Sequence, residues 1–414
     1  MNNLRYRLIK FVTQLLLMKR LFIFATLLSF GFIFCQKQVQ RATVAFLNVE
    51  NVWDTIPSAD YIDGTLPLNN PRFHRSVPID SLKYLPVTED YKGVWSDSLL
   101  IGKKVIRHQI LADEFTPKSP KNYNTKVFNQ KLNNITKVIS ELGRQYTNNA
   151  PVIVGLIEVE NRQVVEAIVK HPTLAKYDYG IVHYNSYDAR GIDVAIIYQK
   201  KRFVPTKTYK KEVVNFDDGG KRSYTRDILV AEGLLDGEKI AVFMNHWPSR
   251  SGGEARSMAR RNAAAAVLKK EMDRLRKEDP SVKLFAMGDF NDDPVSPSLR
   301  KHLGAVGDPK ELSDSSPYYN LMTKLYKAGV ASLAYRDAPN LFDQIIVSKN
   351  LVSDKISDKY SIFKAEIYAP PYMITRDGQW KGYPFRSWSG DVYTGGYSDH
   401  FPAVSVVQRE FVKK

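Results

Sequence analysis

Six short segments of this 414-residue chain join an apolar run to residues that bind cations or move protons. Asn48 and Glu50 follow Thr43-Val44-Ala45-Phe46-Leu47, and Glu158 ends the run Pro151–Ile157. His246 ends Val242-Phe243-Met244-Asn245, and Asp289 and Asn291 sit in Gly288-Asp289-Phe290-Asn291. Asp343 lies in Phe342-Asp343-Gln344-Ile345, and Asp399 and His400 precede Phe401–Val407. Carboxylate and amide oxygens are hard cation ligands, carboxylates accept protons, and imidazole titrates near neutrality. Such groups at the ends of apolar strands can converge on one rim of a sheet. Cys35 is the only cysteine, so thiolate metal sites and a disulfide framework are excluded. Taken singly, each residue also has an ordinary structural role. Glu158 can be a strand-terminal charge, Asn48 and Asn291 turn formers, and His246 a ring stacked on Trp247. Asp343, inside an apolar strand, needs a partner in either case.

The elements that must hold these residues are legible from periodicity. Thr43–Asn48, Pro151–Ile157, Tyr179–His183, Ile192–Tyr198, Tyr224–Leu235, Lys239–Asn245, Lys283–Met287, Leu341–Ser348 and Phe401–Val407 read as strands. Phe128, Leu132, Ile135, Val138, Ile139 and Leu142 recur at helical spacing before Gly143. Asn161–Lys170 reads as a short helix and Ala255–Arg276 as a long one that stops before Pro280. Asp217-Asp218-Gly219-Gly220 reads as a hairpin turn. Residues 54–125, rich in Pro, Asp and Asn, read as a long surface insertion with a short strand at Leu99–Ile101. Many strands with helices between them indicate α/β or α+β with strands packed face to face. We expect one domain over residues 36–414.

The N-terminus is separate. Met18-Lys19-Arg20, the apolar run Leu21–Cys35 and the polar Gln36-Lys37-Gln38 describe a secretory signal. The expectation is a start at Met18, with residues 1–17 an upstream extension and cleavage after Cys35. The protein would then be secreted or periplasmic. An uncleaved membrane anchor is the alternative, and Phe34 before Cys35 argues against a lipoprotein site. The whole chain carries a net charge of +16. Removing residues 1–35 takes away Arg5, Arg7, Lys10, Lys19 and Arg20 and no acid, leaving +11. A basic surface favours polyanions through attraction and counterion release.

The six segments, in this order, resemble the endonuclease/exonuclease/phosphatase superfamily, whose fold is that of DNase I. Asn48-Val49-Glu50-Asn51, Glu158-Val159-Glu160-Asn161, Arg190-Gly191-Ile192-Asp193-Val194-Ala195 and Asn245-His246-Trp247-Pro248-Ser249-Arg250 look like its secreted bacterial members. The resemblance runs from about Thr43 to Val407. It implies an α+β, four-layer αββα sandwich, two packed mixed sheets flanked by helices. It implies a cation, Mg²⁺ before Mn²⁺ or Ca²⁺, held by Glu158 with Asn48, Glu50 and Asp399. Such a cation offsets charge developing on a phosphodiester under attack. The catalytic residues it implies are His246, Asp289, Asn291, Asp343 and His400. Asp289 and Asn291 would activate and orient water, His246 would serve the leaving group, and His400 would contact the phosphate. Asp343 would orient His400, and Asp193 would do so for His246. Arg190, Asp193 and Arg250 would face the substrate.

Two stretches bear on the substrate. Arg250, Arg256, Arg260 and Arg261 surround Ser251-Gly252-Gly253, a loop suited to a phosphate or else a solvated helix face. Trp380, Tyr383, Phe385, Trp388, Tyr393 and Tyr397 interleave with Arg376, Lys381 and Arg386, an arrangement that stacks bases or packs a loop. The expected activity is an endonuclease acting on DNA, with RNA the other polymer. The alternative is a secreted phosphatase or phospholipid phosphodiesterase using the same site, and a third reading is an inactive binding module. The expected partner is nucleic acid as substrate, met by a monomer that needs no stable protein partner and touches membrane only through the cleaved segment. The 108 residues from Glu50 to Glu158 exceed the spacing of compact members. Asp113-Glu114 inside them offers a further cation site.

Overall fold

A computed structural model describes residues 37–55 and 114–412, except 187, 189, 217, 218, 221, 224 and 336. Between them it describes only the strand segments 58–59, 98–101, 104–107 and 110–112. The expected export signal, Asp113 and the turn residues Asp217 and Asp218 lie outside the described residues. Residues 41–409 form one compact unit.

We number the strands of the two large sheets in chain order. The first sheet holds β1 (Lys37–Val52), β2 (Ile153–Val159), β3 (Tyr179–His183), β4 (Asp193–Gln199), β12 (Ser361–Ile367) and β13 (Ala403–Val412). Their order is β12-β13-β1-β2-β4-β3. The second holds β5 (Phe203–Lys211), β6 (Ile228–Leu235), β7 (Glu238–His246), β8 (Lys283–Asp289), β9 (Ala305–Val306), β10 (Tyr318–Asn320) and β11 (Asp343–Ser348). Their order is β9-β10-β11-β8-β7-β6-β5. Both sheets are mixed. β1 runs parallel to β2 and β7 to β8, while β2–β4 and β8–β11 are antiparallel.

Side-chain alternation builds four layers from these strands. Ala45, Leu47, Val154 and Leu156 face Phe128, Leu132 and Ile135 of helix α1 (Thr125–Glu141) and Val164 and Ile168 of helix α2 (Arg162–Lys170). Their neighbours Val44, Phe46, Ile153 and Ile157 turn the other way and meet Val242, Met244, Phe285 and Met287 of the second sheet. The far side of that sheet, with Phe243, Leu284 and Ile346, packs on Ala264, Leu268 and Met272 of helix α3 (Glu254–Glu278). The expected αββα sandwich is thus observed. Gly155 permits the close approach of its sheets: a Cβ there would stand 2.0 Å from Met244 Sδ.

The helices start where local chemistry allows. Asn124 caps α1 by accepting from Val127 N, and Asn161 caps α2 by accepting from Val164 N. The short strand expected at Leu99–Ile101 is present as Ser98–Ile101, paired with Lys104–Arg107. The expected strand Tyr224–Leu235 begins only at Ile228, because Arg226 and Asp227 leave the ladder to form ion pairs with Asp188 and Lys210. β5 and β12 were not expected from the sequence. Both are edge strands with a single fully buried residue each, and Pro205 sits where the β5–β6 register shifts. Such edges resist further pairing but lack an apolar signal.

Candidate active site

The ends of β1 and β2 supply one wall. The β1–β2 register shifts between Asn48 and Val52, and the β2–β4 register shifts between Ile157 and Val159. Glu50, Asn51 and Glu158 adopt left-handed backbone conformations at these bulges, with φ of 48°, 59° and 65°. A bulge re-aims side chains, and such conformations cost on the order of 1–3 kcal/mol each unless the surroundings hold them. The surroundings do so. Asn48 Oδ1 accepts from Glu50 N at 2.8 Å, and Asn48 Nδ2 lies 3.4 Å from Glu158 Oε1. Glu50 accepts from the backbone N–H groups of Ser387 and Trp388. Lys131, fully buried on α1, donates to the carbonyls of Val49 and Glu50 at 3.1 and 3.0 Å and to Ser387 Oγ at 2.8 Å.

The second sheet supplies the opposite wall. His246 pairs in register with Asp289, and Asp289 with Asp343, so three adjacent strands place these residues in one row. Gly288 makes the row possible: its φ is 148°, and a Cβ would stand 1.9 Å from Asn245 O. Beyond β8 the chain turns through Asn291, whose φ is 50°. Asn291 N donates to Asp289 Oδ1 at 2.8 Å, and its side-chain amide donates to Trp247 O at 3.0 Å. Buried Arg226 donates to the same carbonyl at 2.8 Å and is held by Asp188 at 2.9 Å.

The two walls meet at the histidines. His246 Nε2 lies 3.8 Å from both Glu158 Oε1 and Asp289 Oδ2. His400 Nδ1 lies 2.7 Å from Asp343 Oδ2, and its Nε2 is 4.0 Å from Asp399 Oδ1. Ser398 Oγ anchors that loop by donating to Asn48 O at 2.7 Å. The environments drive the two imidazoles apart. Burial, with Arg226 and Arg190 nearby, holds His246 well below the usual histidine value, so its ring is neutral. Burial also opposes charge on His400, but Asp343, Asp399 and Asp289 outweigh it and hold the imidazolium well above that value. Burial raises the Asp289 carboxyl to about 7 despite the attraction of His400.

Among the described residues no three His, Cys, Asp or Glu side chains form a preformed metal cage. The chemistry of the donors nevertheless fits an oxygen-seeking cation. Burial and Asp399 push Glu50 up to about 7 against the pull of Lys131 and Arg386, and burial and Glu158 raise Asp399 against that of His400 and Arg386, so a further cation here would favour the charged carboxylates. Glu158 has one long hydrogen bond, from Asn48 at 3.4 Å, and Asp399 only ion-pair contacts at 3.7 and 4.0 Å, whereas Glu50 is capped by two backbone N–H groups.

Some expected contacts are corrected. Asp193 does not orient His246. Its oxygens accept from His183 Nε2 at 3.0 Å and from Ser186 N and Oγ at 2.8 and 2.6 Å. Asp193 opens β4 opposite Val159, and its side chain is turned to the end of β3. His246 Nδ1 is buried without a partner. Arg250 is committed to Asn291 O, Glu254, Asp292 and Asp293 and lies over the Phe342 ring, so it braces the loop after β8. Arg261 is fully buried against Asp292 and Ser257, so it is no solvated helix face. Arg190 is exposed, 3.8 Å from Asp188. Of the late aromatics, Tyr372, Trp388, Tyr393 and Tyr397 pack in the α1 side of the core, while Trp380 is exposed. Lys131 and Arg226 were not singled out from sequence. Lys131 had a signal: it lies between Phe128 and Ile135 on the apolar stripe of α1.

The search of curated proteins finds no match. Among solved structures, truncated Caenorhabditis elegans TDP2 is 19% identical, with 67% of this chain and 91% of that chain covered and a TM-score of 0.41. An endonuclease/exonuclease/phosphatase family protein from Bacteroides thetaiotaomicron is 12% identical, with 90% and 97% covered and a TM-score of 0.43. The human Nocturnin catalytic domain is 16% identical, with 69% and 87% covered and a TM-score of 0.42. The model of the endonuclease/exonuclease/phosphatase family matches residues 106–409. That span contains both walls of the site except the end of β1, and by it the chain belongs to the endonuclease/exonuclease/phosphatase family.

Proposed function

We propose that this protein is an exported, divalent-metal-dependent phosphodiesterase that cleaves nucleic acid, DNA first and RNA second, by attack of water on phosphorus. Enzymes of its superfamily are phosphoric ester hydrolases and generally depend on a divalent metal ion. The observation that carries the reading is the row His246–Asp289–Asp343 across three strands, with His400 bound to Asp343 and Glu158 facing it from the other sheet. The export signal in residues 18–35 and the basic net charge add support.

Glu158 and Asp399, with Asn48 beside them, would hold Mg²⁺, Mn²⁺ or Ca²⁺. Bound there, the cation neutralises charge on the phosphoryl and leaving oxygens. Glu50 serves this set by locking β1 to Ser387 and Trp388. Asp289 accepts the proton of the attacking water, which Asn291 orients with the amide positions that Trp247 O leaves open. His400, an imidazolium fixed by Asp343, binds a non-bridging phosphate oxygen. His246, held neutral, offers the leaving oxygen a hydrogen bond rather than a charge. Exposed Arg190 contacts the substrate strand.

Nicking of supercoiled plasmid by the purified chain tests the reading. Nicking in Mg²⁺ that disappears in EDTA and in His246→Ala is the expected result. No nicking, with metal-dependent release of phosphate or headgroups from small esters or phospholipids, sinks the nuclease reading.

A further inference from the structure

Two large aromatic side chains are well exposed on loops that leave the main fold. Trp380 is 48% exposed and Tyr335 is 62% exposed. Each sits on an excursion from the main fold. Trp380 lies in the loop 373–385, closed by Phe385 N to Met373 O at 2.6 Å and Thr375 N to Tyr383 O at 2.8 Å. Tyr383 N donates to Trp380 O at 3.0 Å, and the Trp380 and Tyr383 ring centroids are 5.3 Å apart. Tyr335 lies in a hairpin in which Leu333–Tyr335 pairs with Ala338–Asn340.

The two excursions are tied together, and both are rooted on the segment Tyr397–Phe401 that carries Asp399 and His400. Tyr383 Oη donates to Asp337 Oδ1 at 2.6 Å and accepts from Asp337 N at 2.8 Å. Asp337 is only two residues from Tyr335. Phe385 O accepts from Tyr397 N at 2.7 Å and from Ser398 N at 3.3 Å. Ser332 O accepts from Phe401 N at 2.8 Å, and Asp343 N donates to Ser332 Oγ at 3.3 Å. The loop roots therefore bracket Asp399 and His400 in the chain. Arg376 and Lys381, in the same loop as Trp380, are exposed, as is Arg386 just after it, which reaches within 3.5 Å of Glu50 and 3.7 Å of Asp399.

An aromatic face beside cations suits a strand whose bases are unstacked. In a duplex the base faces are covered by their neighbours, so such a surface gains little from it. Single aromatics set among charged residues also differ from the contiguous apolar patch that a lipid surface calls for. We propose that Trp380 and Tyr335 form a base-stacking platform beside His400 that selects single-stranded nucleic acid over duplex. This rests on the nuclease reading and narrows it.

Binding in EDTA, which separates affinity from cleavage, tests the platform. The probes are a labelled oligothymidylate of about 12 nucleotides and a duplex of matched length, read by fluorescence anisotropy. Trp380→Ala with Tyr335→Ala is expected to weaken single-strand binding by roughly tenfold or more, and Trp380→Phe to retain most of it. Duplex affinity should change far less. Arg376→Gln with Lys381→Gln should instead lower the slope of log affinity against log salt, by about 0.7 per lost phosphate contact. The platform is overturned if the double aromatic variant, with wild-type melting temperature, binds single strands as wild type does. It is also overturned if both probes weaken equally, or if the variant loses binding to phosphatidylcholine vesicles instead. If the wild type cleaves nucleic acid in Mg²⁺ in any of these cases, only the platform falls. If the wild type neither binds nor cleaves nucleic acid, the nuclease reading falls with it.

Discussion

Asp343, completely buried in β11, holds His400 across a 2.7 Å contact between Oδ2 and Nδ1. Asp343→Asn keeps the volume and removes the charge. We expect kcat/KM to fall by about 10²-fold or more, because the imidazole loses both its orientation and its proton affinity. The pH dependence follows from the direction of the shift. A histidine raised above 6.5 in the folded state contributes stability that is fully present below that value and lost as pH rises through the folded value. The melting-temperature gap between wild type and Asp343→Asn should therefore be widest below pH 6.5 and shrink in alkali. A constant gap would refute the ion pair.

Glu50 and Glu158 are predicted to fail differently. Glu50→Gln turns an acceptor of two backbone N–H groups into one with a clashing donor, in a site 3% exposed. It should cost stability, about 1–3 kcal/mol by chemical denaturation. Glu158→Gln should leave stability near wild type and weaken cation affinity by at least about tenfold, read by the Mg²⁺ dependence of activity. Equal stability loss in both would show that Glu158, too, is structural.

Lys131 buries an ammonium beneath the acidic wall, and burial lowers it to about 8. Between pH 8 and 10.5 the unfolded chain binds more protons at this residue than the folded one, so its contribution to stability rises with pH. Lys131→Met abolishes that rise. It also removes three donated hydrogen bonds and should cost about 2–4 kcal/mol at neutral pH. Parallel stability–pH curves for the two proteins would contradict the buried charge.

Gly288→Ala is expected to be among the most damaging changes next to the site. The added Cβ meets Asn245 O and cannot move away at a φ of 148°. We predict a loss of about 3 kcal/mol or more, with activity reduced even in the folded fraction because Asp289 moves with the strand. A crystal structure of the variant showing Asp289 unmoved would refute the coupling.

Much of this was readable from residues alone. Apolar runs located the central strands, and the chemically loaded residues other than Asp343, which was read inside its strand, were visible at strand ends. The partnership of Asp343 with His400 could be anticipated because a buried acid needs a counterpart. The edge strands β5 and β12 were not legible, since edges carry polar residues and no core periodicity. Packing of the two sheets alone decided the rest. Whether Asp193 serves His246 or His183 depends on which way its carboxyl turns at the start of β4, and that turn depends on β3 and Ser186. Lys131 and Arg226 gain their roles from carbonyls that the bulge at Glu50 and the turn after His246 leave without strand partners. Periodicity reports which face of an element is buried. The direction of a single polar side chain is set by backbone groups that arrive from distant parts of the chain, and only the folded arrangement contains them.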